Sequence, residues 1–311
     1  MKLNDYLNPK NSLVLFELGK KLDFFINLYN LNKFPKVLML TGQKGVGKST
    51  LMNHFMTYVY DRNMYDLKEK KINNNSNFYK QYINNIFPNI IYLSGDFYKN
   101  IKVDEMRNLK SLLTKTSISG EERFILFDDV ELFSANSLNS LLKIIEEPSK
   151  KDFFVLINNK TKPLLETIYS RSLEVKILLK NEIRIKIINN LIDVNDLQVS
   201  IDFKNINLTP GNFLLFNSLS QELKLNYDQE FTYNLNLILK NYKKEKNKDM
   251  INLTFFLIDH YFSKPKIKNK LNSQKLFEQK SYLNGQIDKF VKYNLNQTSL
   301  INAINNKLLN G

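Results

Sequence analysis

"TGQKGVGKST", residues 41–50, is the stretch whose reading decides the fold. The chain contains nine glycines, and Gly42, Gly45 and Gly47 crowd into this one segment. "GQKGVGKS" matches G-x-x-x-x-G-K-[ST] from Gly42 to Ser49. Glycines let the backbone wrap tightly, so that successive N–H groups face phosphate oxygens, and a helix beginning just after them aims its N-terminus at the same anion. Lys48 is then expected to reach the outer phosphates and Ser49 to hold Mg²⁺, with Thr50 beside them.

The flanking sequence fits a parallel sheet covered on both faces. Apolar runs at 36–40, 89–94, 123–127, 152–157 and 172–177 alternate with amphipathic segments, as buried parallel strands and their crossover helices do. "KSTLMNHFMTYVY" (48–60) puts Leu51, Phe55 and Val59 on one helical face. Its His54 reads as a helix-surface or packing residue. The Asn-rich 68–80 segment reads as a loop or weakly ordered insertion, and "NLTPGNFLLFNSL" (207–219) as a Pro-Gly turn before a helix. Strand signals fade after about residue 179. The expected domains are 1–178 (α/β P-loop), 179–219 (small helical lid) and 220–311 (all-α). In the last, "NLTFFLIDHYF" (252–262) must be buried, within its domain or between subunits.

"RFILFDDVELF" (123–133) reads as the second half of a nucleotide site. An apolar strand ends in Asp128-Asp129. In P-loop NTPases the strand-end Asp serves the metal, and the next acid, usually Glu, polarises the attacking water. Asp129 is one methylene shorter than that Glu.

The chain carries 45 Lys and Arg against 31 Asp and Glu, a net charge of +14, which suits a polyanionic partner. It has no cysteine, which excludes disulfides, thiolate zinc sites and cysteine nucleophiles. Its two histidines, His54 and His260, form no ligand-spaced cluster, and His260 reads as structural. The N-terminal residues lack the apolar core of a signal peptide, and no apolar run is long enough to span a bilayer, so a cytoplasmic protein with no membrane association is expected.

The stretch 137–175, "SLNSLLKIIEEPSKKDFFVLINNKTKPLLETIYSRSLEV", resembles the clamp-loader signature of the AAA+ ATPases. There, "NALLKxLEEP" precedes a sensor strand and an "SRC" motif. "NLNKFPKVLMLTGQKGVGKSTL" (30–51) and the 101–113 block fit the same family, and the resemblance covers about residues 20–220. Residues 294–309 are similar to the last helix of its bacterial DNA polymerase III delta-prime branch. The resemblance implies an AAA+ domain, a lid and an oligomer-forming collar. It implies ATP with Mg²⁺, held by the loop and by Ser49 and Asp128. It makes Asn159 the first sensor and Arg171, in "SRS", an arginine finger acting in trans in a neighbour's site. Gamma/tau and delta subunits of a hetero-oligomer, a sliding clamp and primer–template DNA are the implied partners. Arg107 and Lys110, three apart in the 101–113 block, are candidates for DNA-backbone contact.

Departures from the family pattern bear on the role. Zinc-binding cysteines found in many relatives are absent, so no zinc is expected. Where active members carry a lid arginine, "LTPGNF" (208–213) has Gly211 followed by Asn212. Three readings therefore stand: a stator that hydrolyses ATP weakly or not at all and lends Arg171, a hydrolysing gamma/tau-type motor, and a stand-alone P-loop protein such as a small-molecule kinase or helicase loader.

Overall fold

The computed structural model describes residues 5–95, 103–114, 120–264, 267 and 272–309. Residues 101–102 of the 101–113 block, and most of the basic 263–270 stretch, lie outside the described residues.

All five expected strands form, as β1 (Val37–Thr41), β4 (Ile90–Ser94), β5 (Arg123–Asp128), β6 (Asp152–Asn158) and β7 (Leu173–Lys176). They build one parallel sheet in the order β4-β5-β6-β1-β7. Alternate side chains leave opposite faces, and both faces are covered, which is why the strands read as unbroken apolar runs. On one face Leu38, Leu40, Phe124, Leu126, Val155 and Ile157 pack with α1 (Gly19–Asn30) and α2 (Lys48–Tyr60). On the other, Met39, Ile125, Phe127, Phe154 and Leu156 meet α4 (Val103–Leu113) and α5 (Ala135–Glu146). The α/β P-loop architecture is thus the one expected.

α2 is buried on nearly every side. His54 is wholly enclosed in it, bonded through Nδ1 to the Tyr65 hydroxyl at 2.9 Å and through Nε2 to the Ser12 carbonyl at 3.0 Å. A carbonyl only accepts, so Nε2 carries the proton and Nδ1 accepts from Tyr65. Burial pulls the imidazole pKa down to about 4 and keeps it neutral.

The Asn-rich 68–80 segment is more ordered than expected. Short strands β2 (Tyr65–Asp66) and β3 (Lys71–Ile72) pair antiparallel, and α3 (Asn77–Ile83) follows. Ser76 caps α3 by accepting from Tyr79 N, and Phe78 stacks on Tyr82 and on Tyr60. Four buried side chains, Ile72, Phe78, Tyr79 and Tyr82, suffice to fix a stretch whose composition is polar.

Contacts divide the chain into two units, 1–197 with 209–212 and 198–208 with 213–311. α6 (Glu166–Tyr169) and α7 (Asn181–Asn195) complete the first. α8 (Pro210–Glu222) starts in the first and continues in the second. Pro210 and Gly211 are its opening residues and do not form a separate turn, because proline's missing N–H costs nothing at a helix start. α9 (Phe231–Glu245), α10 (Asp249–Ser263), α11 (Ser273–Tyr293) and α12 (Gln297–Leu309) make up the rest of the second. Leu253, Phe256, Leu257, Ile258 and Phe262 of α10 are buried within it.

The sheet is tied at the start of β5 by a buried ion pair. Arg123 Nε and Nη2 donate to Asp152 at 2.8 and 3.0 Å, while Nη1 and Nη2 also cap the last carbonyls of α4 at Leu112 and Leu113. Arg123→Ala leaves Asp152 charged, buried and uncompensated, and is expected to cost about 3–5 kcal/mol in denaturant unfolding. Arg123→Met combined with Asp152→Leu should recover most of that loss. A cost under about 1 kcal/mol for Arg123→Ala would contradict this account.

Candidate functional site

The five strands point their carboxyl ends at one edge, where open α/β sheets bind ligands. β1 runs into the loop at Gly42, whose N–H donates to Asn158 O of β6 at 3.2 Å. The loop glycines take left-handed or near-extended backbone, with Gly45 at φ 84° and Gly47 at φ 94°. Gly47 opens α2, so the helix N-terminus faces the loop's hollow. Ser49 and Thr50 occupy its first turn, half-buried.

Lys48 is buried and folds back, donating to Gly42 O at 2.6 Å and Gln43 O at 2.8 Å. Burial lowers its pKa to about 8, against the pull of Asp128, Glu131 and Asp129. Ser49 Oγ lies 3.5 Å from Asp128 Oδ2, bringing together the two expected metal ligands. Asp128 also accepts from the Tyr92 hydroxyl at 2.7 Å, and its burial raises its pKa.

Asp129 follows in left-handed backbone, φ 49°. Its Oδ1 accepts from Asn159 Nδ2 at 2.6 Å and its Oδ2 pairs with Lys44 Nζ at 3.0 Å. The expected second acid and sensor amide are therefore in direct contact. Glu131, two residues on, is buried, and its Oε1 takes Asn159 N, Thr161 N and Thr161 Oγ1 at 3.1, 3.3 and 2.8 Å. Its Oε2 is buried without a hydrogen-bond partner.

The start of α8 also belongs to this unit. Thr209 Oγ1 donates to Lys44 O at 2.7 Å, and Gly211 N donates to Gly45 O at 2.8 Å. A Cβ on Gly211 would lie 2.7 Å from Gly45 Cα, and one on Gly45 would lie 2.9 Å from Asn212 N. Position 211 therefore has no room for any side chain.

Arg171 stands elsewhere. It lies in the turn before β7, two residues ahead of Leu173, which pairs with Leu38 near the start of β1, at the opposite strand ends from Thr41. It is exposed and bonds Glu146 through Nε at 3.0 Å and through Nη2 at 2.8 Å. Arg107 and Lys110 are exposed on α4, opposite the buried Met106 and Leu109.

Lys44, Tyr92, Glu131 and Thr209 fall outside the motif positions. Thr209 carries a readable signal, a Thr-Pro helix start; Lys44 occupies a position the loop pattern leaves open, and Glu131 shows only as an acid amid apolar residues. The glycine cradle, buried ammonium, helix N-terminus and Ser49–Asp128 pair form a donor set suited to a phosphate chain and a hard cation.

The family model described as "DNA polymerase III, delta subunit" matches residues 19–181. Residues of this chain are 36% identical over 76 positions to the DNA polymerase III subunit delta' of Pseudomonas aeruginosa, covering 24% of this chain and 23% of that protein. They are 35% identical over 72 positions to subunit delta' of Bacillus subtilis, covering 23% and 22%. The DNA polymerase III subunit gamma of Buchnera aphidicola from Schizaphis graminum is 26% identical over 157 positions, covering 50% and 42%. The matched stretch thus spans about a quarter of the first relatives' length. A gamma subunit-related protein of Thermotoga maritima aligns structurally at TM-score 0.41 and 16% identity, over 90% of this chain and 96% of that one.

Lys48→Met is expected to stabilise the nucleotide-free chain at pH 7 by roughly 1–3 kcal/mol, because it removes a buried charge. The folded-state pKa, about 8, lies below the ordinary lysine value of 10.5. The gain should therefore be full below pH 8 and fade as pH rises toward 10.5. Thermal unfolding across that range checks it; a gain that does not fade would refute the charge argument.

Proposed function

Since the chain belongs to the DNA polymerase III delta-subunit family of clamp-loader proteins, we propose that it acts as a delta-prime-type stator. In this reading it holds nucleotide with little or no hydrolysis and lends Arg171 to a neighbouring subunit's site. The observation that carries the reading is Gly211 seated on Gly45, which leaves position 211 no room for a side chain.

Bound ATP with Mg²⁺ would supply the charge and ligation that fix the loop. The loop amides and Lys48 would bind the phosphates, and Ser49 and Asp128 would orient the metal. Arg171 now engages Glu146; on assembly its guanidinium would move to the γ-phosphate in the adjacent site, a contribution that can be worth about 10³–10⁵ in rate. The helices of residues 220–311 would form the collar that joins gamma/tau and delta-type partners, and α4 would face primer–template DNA while the assembly opens a sliding clamp. Such an assembly works in the cytoplasm. No helix among the described residues is long and apolar enough to cross a membrane.

The gamma/tau-type motor is the second reading, favoured by the Ser49–Asp128 approach and the intact loop. Substitution in the assembled complex separates the two. For a stator, Lys48→Ala leaves most of the complex's ATPase, while Arg171→Ala lowers it by roughly tenfold or more. The reverse pattern would make this chain the motor.

Phosphate contacts set salt dependence. Arg107→Ala is expected to weaken DNA binding by the complex and to lower the slope of log K against log salt by about 1. An unchanged slope removes Arg107 from the interface.

A further inference from the structure

Lys44 is fixed at both backbone and side chain. Its carbonyl accepts from Thr209 Oγ1 at 2.7 Å, and the next carbonyl, of Gly45, accepts from Gly211 N at 2.8 Å. With the loop held there, the Lys44 ammonium lies 3.0 Å from Asp129 Oδ2. The other oxygen of Asp129 takes Asn159 Nδ2 at 2.6 Å. Both oxygens of Asp129, the acid that the motif assigns to the attacking water, are therefore engaged from within the chain. The carboxylate is nearly covered while the lysine side chain is 61% exposed, so the pair has one desolvated and one solvated partner.

Hydrolysis at this site would form a bond from a water oxygen to the terminal phosphorus and break the bond to the β–γ bridging oxygen. A carboxylate accepting a hydrogen bond from the water would orient it for attack, and the water's proton would pass to the phosphate product, leaving a nucleoside diphosphate and phosphate. A carboxylate whose two oxygens already take an ammonium and an amide has less lone-pair capacity left for that water. We propose that Lys44 is a positioning residue that holds Asp129 paired and idle, so that a nucleoside triphosphate on the loop is retained and not cleaved. The inference rests on the reading that the loop holds nucleotide, and it adds a cause for retention internal to this chain. The absent lid cation is a missing contribution, whereas Lys44 is an active restraint.

Two measurements on the full chain test it. The first uses the nucleotide-free protein. Acetylation of Lys44 by an amine-reactive ester is followed by mass spectrometry, with Lys33 as an internal standard. Asp129→Asn should speed Lys44 labelling by roughly threefold or more by releasing the ammonium. An unchanged rate would show that the pair does not hold Lys44 in solution and would overturn the proposal. The second is single-turnover cleavage at saturating Mg²⁺-ATP, so that changes in affinity drop out. Lys44→Met should raise the rate by roughly tenfold, Lys44→Arg should keep it low, and Lys44→Met with Asp129→Asn should lose the gain. A rise that survives in the double variant, or no rise in Lys44→Met, overturns the restraint while leaving nucleotide binding intact. Failure of the unaltered chain to bind Mg²⁺-ATP by calorimetry instead removes the underlying reading, and the restraint with it.

Discussion

Thr41, at the end of β1, pairs with Asn158 of β6 on one side and Lys176 of β7 on the other. With β1 held on both flanks, the strand end cannot shift without breaking two ladders, and the loop that leaves it inherits that fixity. Gly42 bonds Asn158 O, and Ile177 N returns to Thr41 O. β5 ends at Asp128 in the same sheet, one strand beyond β6, so the acids meet the loop by sheet order alone. The buried Arg123–Asp152 pair ties the other ends of β5 and β6, fixing the register that carries Asp128 and Asn159 to one edge.

The site so assembled carries an internal tension. Lys48 is buried among Asp128, Asp129 and Glu131, and it donates to loop carbonyls. Asp128 leans on the Tyr92 hydroxyl. Charges held in place before a ligand arrives cost folding stability, and they avoid reorganisation when it does. Glu131 braces the arrangement from behind, drawing Asn159 and Thr161 to one oxygen and leaving the other buried and unpaired.

Much of this was legible beforehand because period and spacing encode it. The five apolar runs fixed the strands, and the glycine pattern with the acid pair placed the two halves of the site. What was not legible depended on tertiary contact. In the 68–80 segment, Asn-rich composition suggested a loop, yet aromatic packing of Phe78 and Tyr82 orders it. Pro210-Gly211 resembles a turn signal and masks the Thr-Pro helix start that the Thr209 cap completes. The Lys44–Asp129 pair joins residues far apart in the chain, and no local pattern links them. The exclusion of a side chain at position 211 depends on a backbone approach between distant segments, which sequence spacing does not report.

That approach has a mechanical consequence. Gly45 and Gly211 face each other across a gap too small for a Cβ on either: one on Gly211 would meet main-chain atoms of Gly45, and one on Gly45 would meet the Thr209 hydroxyl and the backbone of Asn212 and Gly211. An arginine placed at 211 would push the loop at Gly45 out of shape. Room for any side chain there would need the helix start to lift off the loop first, at the expense of the Thr209 and Gly211 bonds. The pair of glycines therefore acts as a latch, holding the first turn of α8 against the loop only while neither position carries a side chain.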